Sequence, residues 1–162
     1  MNDKQKEFLR LHVICGENYA AVEQKLSVPR PTLTLWYEEL RFERERIAKI
    51  RQVWTTKKFT PIFEDFYNWY EKLDRKCHYC EITEEEIAEL LNSGKLETKR
   101  IATRGKKLEY DRKEPNLTYD NIDNIVLCCY WCNNAKTDTF TYSEFKEVGK
   151  VIKTIWKRRM AK

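Results

Sequence analysis

Apolar residues recur at helical spacing along most of the chain, and the recurrence predicts the first elements. Residues 4–14 carry Phe8, Leu11, Val13 and Ile14 on one stripe, and Gly16 follows as a stop. Tyr19 to Leu26 reads as a second short helix with Ala21, Val22 and Leu26 inward. Ser27-Val28-Pro29 is a turn. A third helix begins near Arg30-Pro31-Thr32, where Pro31 suits a first turn that has no use for its missing donor. Leu33, Trp36, Tyr37 and Leu40 give it an apolar side. From Glu38 to Arg51 opposite charges stand three and four apart, the pattern of an exposed helix. Leu40, Ile47, Ile50 and Trp54 keep one apolar edge through it, so the third helix is expected to run on as a connector. Thr55-Thr56-Lys57-Lys58 loosens the pattern and marks a boundary, giving regions 1–58 and 59–162.

Beyond Pro61 an aromatic helix is expected, with Phe63, Phe66, Tyr67, Trp69, Tyr70 and Leu73. Such rings suit a cover for a small neighbouring domain poor in aliphatic core; a base-stacking surface is the other use for them. Thr83 and Glu86 form a capping box ahead of Ile87, Leu90 and Leu91, and Asn92-Ser93-Gly94 ends that helix. Arg100 to Arg104 leads into a strand at residues 106–112, and Asn124-Ile125-Val126-Leu127-Cys128 reads as a second strand. A last helix, capped at Tyr142-Ser143, carries Phe145, Val148, Ile152, Ile155 and Trp156. Its basic end, residues 157–162, reads as a solvated tail, with contact to phosphate as the other use. No apolar run is long enough to cross a bilayer, and the N-terminus lacks a signal peptide's apolar segment, which predicts a soluble, cytoplasmic protein without a membrane partner.

Composition changes the picture in two places. The formal net charge is +5 over 162 residues, and residues 1–60 hold 12 Lys and Arg against 8 Asp and Glu. A surplus of that size permits nucleic-acid binding without requiring it. Of the 6 cysteines, four form two Cys-x-x-Cys pairs, Cys77 with Cys80 and Cys129 with Cys132. Two such knuckles bring four thiolates to one tetrahedral point, the geometry of a structural zinc site. Cys15 and Cys128 remain, each read as a small buried apolar residue.

Two stretches resemble known families. Residues 19–33, with Arg30, Thr32, Thr34 and Arg41 as the residues to face DNA, resemble the homeodomain-like helix-turn-helix modules of transposases and phage regulators. A plain three-helix bundle making protein contacts is the other reading. Residues 77–138 resemble the HNH, or ββα-metal, endonucleases. The matching residues are Leu108-Glu109-Tyr110-Asp111, Asn124, Leu127, Cys129, Cys132, Asn133 and Lys136. The expected class is therefore α+β: an all-α helix-turn-helix region followed by a zinc-stabilised HNH-like domain with flanking helices.

The resemblance implies a divalent-metal-dependent cut of a DNA phosphodiester. Asp111 and Asn133 would hold a catalytic Mg²⁺ or Mn²⁺, Asn124 would brace the loop presenting the base, and Lys136 would hold phosphate. The four cysteines would close around a structural Zn²⁺. This chain departs from the pattern at Arg112, which stands where the family has a histidine base. A guanidinium does not readily accept a proton from water, but it can grip a phosphate with two donors. Either another group supplies the base, with Tyr110, Lys113 and Tyr119 nearby and a metal-bound hydroxide as a further route, or the scaffold binds DNA without cutting. A zinc-stabilised protein-interaction module is the remaining alternative. A homodimer or a larger complex is compatible with all three.

Overall fold

A computed structural model describes residues 1–97, 104–119 and 121–161. It is an α+β chain that divides into two compact units, Met1–Lys72 and Leu73–Lys162. Among the described residues no helix is long and apolar enough to cross a membrane.

The first unit is helical. Asn2 and Gln5 close a capping box at the head of α1 (Asp3–Phe8), which continues without a break into a π-helical segment, Leu9–Ile14. Gly16, at φ +78°, ends it in the left-handed region. Asn18 caps α2 (Tyr19–Leu26), Ser27 turns the chain at φ 51°, and α3 (Arg30–Glu39) follows. Of the three residues expected inward on α2, only Val22 is fully buried.

Two expectations for this unit are corrected. The third helix does not run on: Leu40 leaves helical geometry at φ −90°, ψ 29°, and a separate α4 (Arg41–Lys57) begins. Leu40 is buried, so its side chain holds the corner against the core. The aromatic helix α5 (Phe63–Glu71) belongs to this first unit, beyond the boundary expected at residue 58. Its rings pack locally. Phe66 lies 4.6 Å from Phe59, Phe63 stands edge-on to Trp54, and Arg46 reaches Glu71 and the Tyr67 hydroxyl. These rings help to complete the helical core of the first unit.

The second unit is built on a two-stranded antiparallel ribbon. Strand β1 (Glu109–Arg112) pairs with β2 (Ile125–Cys128), placing Asp111 opposite Val126 and Arg112 opposite Ile125. Ahead of the ribbon, the Thr83–Glu86 capping box opens α6 (Glu84–Asn92) as expected, and Gly94 at φ +68° follows it. The lead into β1 expected from residue 100 lies outside the described residues up to Arg104. After β2 come α7 (Tyr130–Lys136) and α8 (Tyr142–Ala161). The cap of α8 is Thr141 rather than Tyr142-Ser143: Thr141 Oγ1 accepts from the Glu144 N–H, while the Thr141 N–H donates to Glu144. Residues 157–161 end α8, with Lys157, Arg158 and Arg159 exposed to solvent as expected, and Arg159 donates to the Lys95 carbonyl. Lys162 lies outside the described residues.

The core of this unit gathers Phe145 and Trp156 of α8, Ile87 and Leu90 of α6, Val126 of β2, and the cysteines. Gly149 lets α8 approach the first knuckle closely: a Cβ there would stand 2.6 Å from the Tyr79 carbonyl oxygen.

Candidate metal centre and adjoining carboxylates

Both knuckles are fixed by backbone hydrogen bonds. The Cys77 N–H donates to the Ile82 carbonyl, the His78 N–H to Leu127 of β2, and the Glu81 N–H back to Cys77. Glu81 takes φ 62° to close the turn. The second knuckle is the entry to α7, where Cys129 occupies the N-cap and its sulfur accepts from the Cys132 N–H at 3.4 Å. The sulfurs of Cys77, Cys80, Cys129 and Cys132 all lie within 4.8 Å of one another, and all four residues are buried. A tetrahedron with zinc–sulfur arms of ~2.3 Å has sulfur–sulfur edges of ~3.8 Å. Cys80 and Cys129 Sγ are 3.7 Å apart, so the cluster has the size of such a site. Hydrogen bonds from Cys128, Cys129, Cys132 and Cys80 hold the Cys77 thiol well below the usual range. Cys128 is buried as expected, its thiol pushed up by burial and turned toward the Cys129 carbonyl. Cys15, by contrast, is exposed, with its sulfur 3.8 Å from an Arg10 nitrogen.

The pleat of β1 sends Glu109 and Asp111 to the α7 side. There each meets a cation and is tied to α7, Asp111 by Lys136 and Glu109 by Asn133. The Asp111 Oδ2 accepts from the Tyr79 hydroxyl at 2.9 Å and lies 3.4 Å from the Lys136 ammonium. Glu109 accepts from the Asn133 amide at 2.7 Å and pairs with Arg104. Asn133 therefore reaches Glu109, while Asp111 is held by Lys136. The phosphate-holding role expected for Lys136 is corrected: its side chain is 1% exposed, and its ammonium donates to the Arg112 carbonyl at 2.7 Å. A lysine so placed joins helix to strand.

Asn124 is a brace. Its Oδ1 accepts from the Glu114 N–H, its amide donates to the Glu114 carbonyl, and its own carbonyl accepts from the Lys113 N–H. Arg112 takes part in the same loop. Its guanidinium donates to the Leu117 carbonyl at 2.9 Å and lies 5.2 Å from the Tyr119 ring centre, away from the Asp111 carboxylate.

Two neighbours of Asp111 have no signal in local spacing. Tyr79 is buried, and burial first, then the Asp111 carboxylate, push its pKa upward, which keeps the hydroxyl a donor. His78 presents its ring beside Tyr79 and bonds the Tyr142 hydroxyl at 2.8 Å. Partial desolvation, then Lys113 and Lys146, lower its pKa. Both follow Cys77 directly, so the knuckle that delivers two sulfurs also delivers these two side chains. In the first unit Arg30, Thr34 and Arg41 are exposed and Thr32 is half-buried. The Thr34 hydroxyl donates to the Arg30 carbonyl and Arg41 pairs with Glu45.

No family model matches the sequence, and no curated protein does. Among solved structures the chain is similar to PacI, described as a rare-cutting HNH restriction endonuclease. The two share 24% identity with a TM-score of 0.50, over 69% of this chain and 77% of that one. At that identity the likeness is one of fold: this helix-rich α+β chain is similar in fold to an HNH endonuclease.

Proposed function

We propose that this is a DNA-binding protein whose second unit hydrolyses phosphodiester bonds with a divalent metal. One observation carries the reading. A carboxylate on β1 and an amide in the first turn of α7 are held at the junction of ribbon and helix, and the four-cysteine cluster pins that junction. In this reading Cys77, Cys80, Cys129 and Cys132 hold a structural zinc, closed to substrate because four thiolates fill its coordination.

Asp111 and Asn133 are the residues to hold Mg²⁺ or Mn²⁺, which when bound offsets charge on the phosphate and acidifies water. Tyr79 and Lys136 fix the Asp111 carboxylate through Oδ2, leaving Oδ1 without a hydrogen-bond partner among the described residues. Asn124 holds the loop that follows β1, and Arg112 ties that loop to Leu117. In the first unit, α2, the Ser27 turn and α3 serve as a helix-turn-helix, with Arg30, Thr32, Thr34 and Arg41 toward DNA; the exposure of Arg30, Thr34 and Arg41 and the basic balance of residues 1–60 support this.

A second reading, a DNA-binding protein that does not cut, is favoured by the Lys136 charge already paired to Asp111 and by arginine at position 112. Incubation with supercoiled plasmid separates the two. A nick that requires added Mg²⁺ or Mn²⁺ and disappears in Asp111→Ala supports cutting. Retention of the plasmid in gel shift with no nick under any divalent ion supports binding alone.

A further inference from the structure

The first unit holds a row of side chains that the cysteine cluster and the carboxylates of β1 do not use. It starts in the π-helical segment, a rare kind of turn found frequently at functional sites. There the Cys15 N–H reaches back to the Arg10 carbonyl at 2.8 Å. His12, in the middle of this segment, is half-buried, and its Nδ1 meets the Glu17 carbonyl at 2.7 Å. The His12 ring lies 4.4 Å from that of Tyr19 on α2, and it stands edge-on to that of Tyr37 on α3 at 5.8 Å. Each tyrosine carries a guanidinium. Arg30 sits 5.6 Å from the centre of the Tyr19 ring, and Arg44 of α4 lies 3.5 Å from the centre of the Tyr37 ring.

Arg44 is held on two sides. Its face rests on the Tyr37 ring, and its Nε donates to the Tyr37 carbonyl at 2.6 Å. Its two terminal nitrogens have no hydrogen-bond partner within the first unit, every residue of which is described. Other arginines of this unit are committed. Arg10 pairs with Glu7 and Glu64, Arg41 with Glu45 and Arg46 with Glu71, while Arg51 donates to the Val13 and Ile14 carbonyls. The acids beside the row do not compensate it: Glu23 accepts from the Arg30 backbone N–H, Glu17 pairs with Lys25, and Glu38 is exposed and forms no ion pair with Arg30 or Arg44. A half-buried guanidinium, fixed in orientation and with its fork unpaired, matches a phosphate that accepts two parallel N–H bonds. Because the side chain is already ordered, little rotamer freedom is lost when a ligand arrives. Arg30 and Tyr37 are seven residues apart on α3 and so share a face, which sets both guanidiniums along one side of that helix.

We propose that Arg44, stacked on Tyr37, and Arg30, beside Tyr19, bind the sugar–phosphate backbone of duplex DNA, with Arg44 as the anchor. The proposal rests on the DNA reading above; it adds Arg44, which local spacing does not single out, and the side of α3 along which the strand lies. Contacts of this kind are independent of base sequence and are lost with salt, each neutralised phosphate contributing about −0.9 to the slope of log affinity against log salt on duplex DNA.

The test is binding of the full-length protein to a short fluorescent duplex of arbitrary sequence, titrated over a range of KCl without added divalent ion. Arg44→Ala should weaken binding roughly five- to tenfold near 0.1 M salt and lower the slope by about one. Arg30→Ala with Arg44→Ala should lower it by about two. Arg44→Lys keeps the charge but replaces the fork by a compact ammonium, so it should keep the slope and weaken binding about threefold. Lys6→Ala removes one exposed charge that is already paired with Asp3 and should change neither. Far-ultraviolet circular dichroism checks folding; should Arg44→Ala lose the helical signal, Arg44→Lys decides. If wild type binds while Arg44→Ala keeps its slope, or Arg44→Lys keeps its affinity, this surface is wrong and the DNA reading stands. The surface is equally wrong if Lys6→Ala weakens binding as much as Arg44→Ala. If wild type binds no duplex, both fail.

Discussion

Gly149→Ala tests the packing that places the first knuckle against α8. The added methyl would stand 2.6 Å from the Tyr79 carbonyl oxygen, 2.8 Å from its carbonyl carbon and 2.9 Å from its Cβ. Two of those atoms are backbone, in a turn that carries two of the four cluster sulfurs, so no side-chain rotation relieves the contact. Helix or knuckle must yield by several tenths of an ångström. Overpacking of this kind costs about 1–3 kcal/mol, and a rigid backbone neighbour puts the cost near the upper end. Helix propensity works in the opposite direction: alanine within a helix is favoured over glycine by about 1 kcal/mol. The clash wins, leaving a net loss of about 2 kcal/mol, or roughly 4–8 °C in Tm for a chain of this size. Thermal unfolding followed by circular dichroism at fixed zinc measures it. The control is Lys150→Ala, next along the same helix and exposed. A Gly149→Ala protein with Tm equal to or above wild type refutes the close approach, because only the propensity gain would then be acting.

The remaining predictions concern the cluster, the buried pair, the first unit and the carboxylates. Cys129→Ser or Cys132→Ser should abolish the binding of one zinc per chain and unfold the second unit, because metal binding supplies folding energy in such small sites; elemental analysis and circular dichroism check both. Lys136→Met leaves a largely buried Asp111 carboxylate without its cation and should cost about 3–5 kcal/mol in urea denaturation, whereas Asp111→Asn with Lys136→Met should recover part of that. Arg30→Ala should weaken duplex binding without changing Tm, since the side chain is exposed; an unchanged affinity removes α3 from the DNA surface. Mn²⁺ should bind the protein–DNA complex more tightly than the protein alone, as titration calorimetry with and without duplex would show; equal affinities contradict it.

What the sequence disclosed was mostly local. The spacing within each Cys-x-x-Cys pair, the Thr83–Glu86 box and the Gly94 stop each depend on residues a few positions apart, and each is present. The break at Leu40 left no trace, because no Gly or Pro marks it and the charge pattern runs on at helical spacing across it. The aromatic residues of α5 announced burial but not against what, since a ring's hydrophobicity carries no address. Side-chain pairings across the ribbon were hidden for the same reason. Tyr79 and Asp111 are 32 residues apart, and Lys136 and Arg112 are 24 apart. Spacing located the backbone that carries the site, and tertiary packing decided which polar groups on it are free.

That decision bears on the choice between cutting and binding. Two unit charges 3.4 Å apart, the separation of Lys136 and Asp111, attract by about 5 kcal/mol at an effective dielectric constant near 20. Arg104 pairs in the same way with Glu109, the other carboxylate on this side of β1. Each acid thus has its cation, and the face is close to neutral rather than the dense acidic cluster that collects a divalent ion unaided. Hard divalent ions with few protein carboxylates rely on substrate phosphates for the rest of their charge and oxygen ligands. In the cutting reading, the missing negative charge therefore arrives with the nucleic acid, and ion and strand bind cooperatively. By linkage, each raises the affinity for the other by the same factor. Lys136 then tunes as well as supports: by holding Oδ2 of Asp111 it discourages an ion in the absence of DNA and leaves Oδ1 for one that comes with it. In the binding-only reading no such coupling exists, and the same Lys136 is simply what keeps a buried aspartate in place.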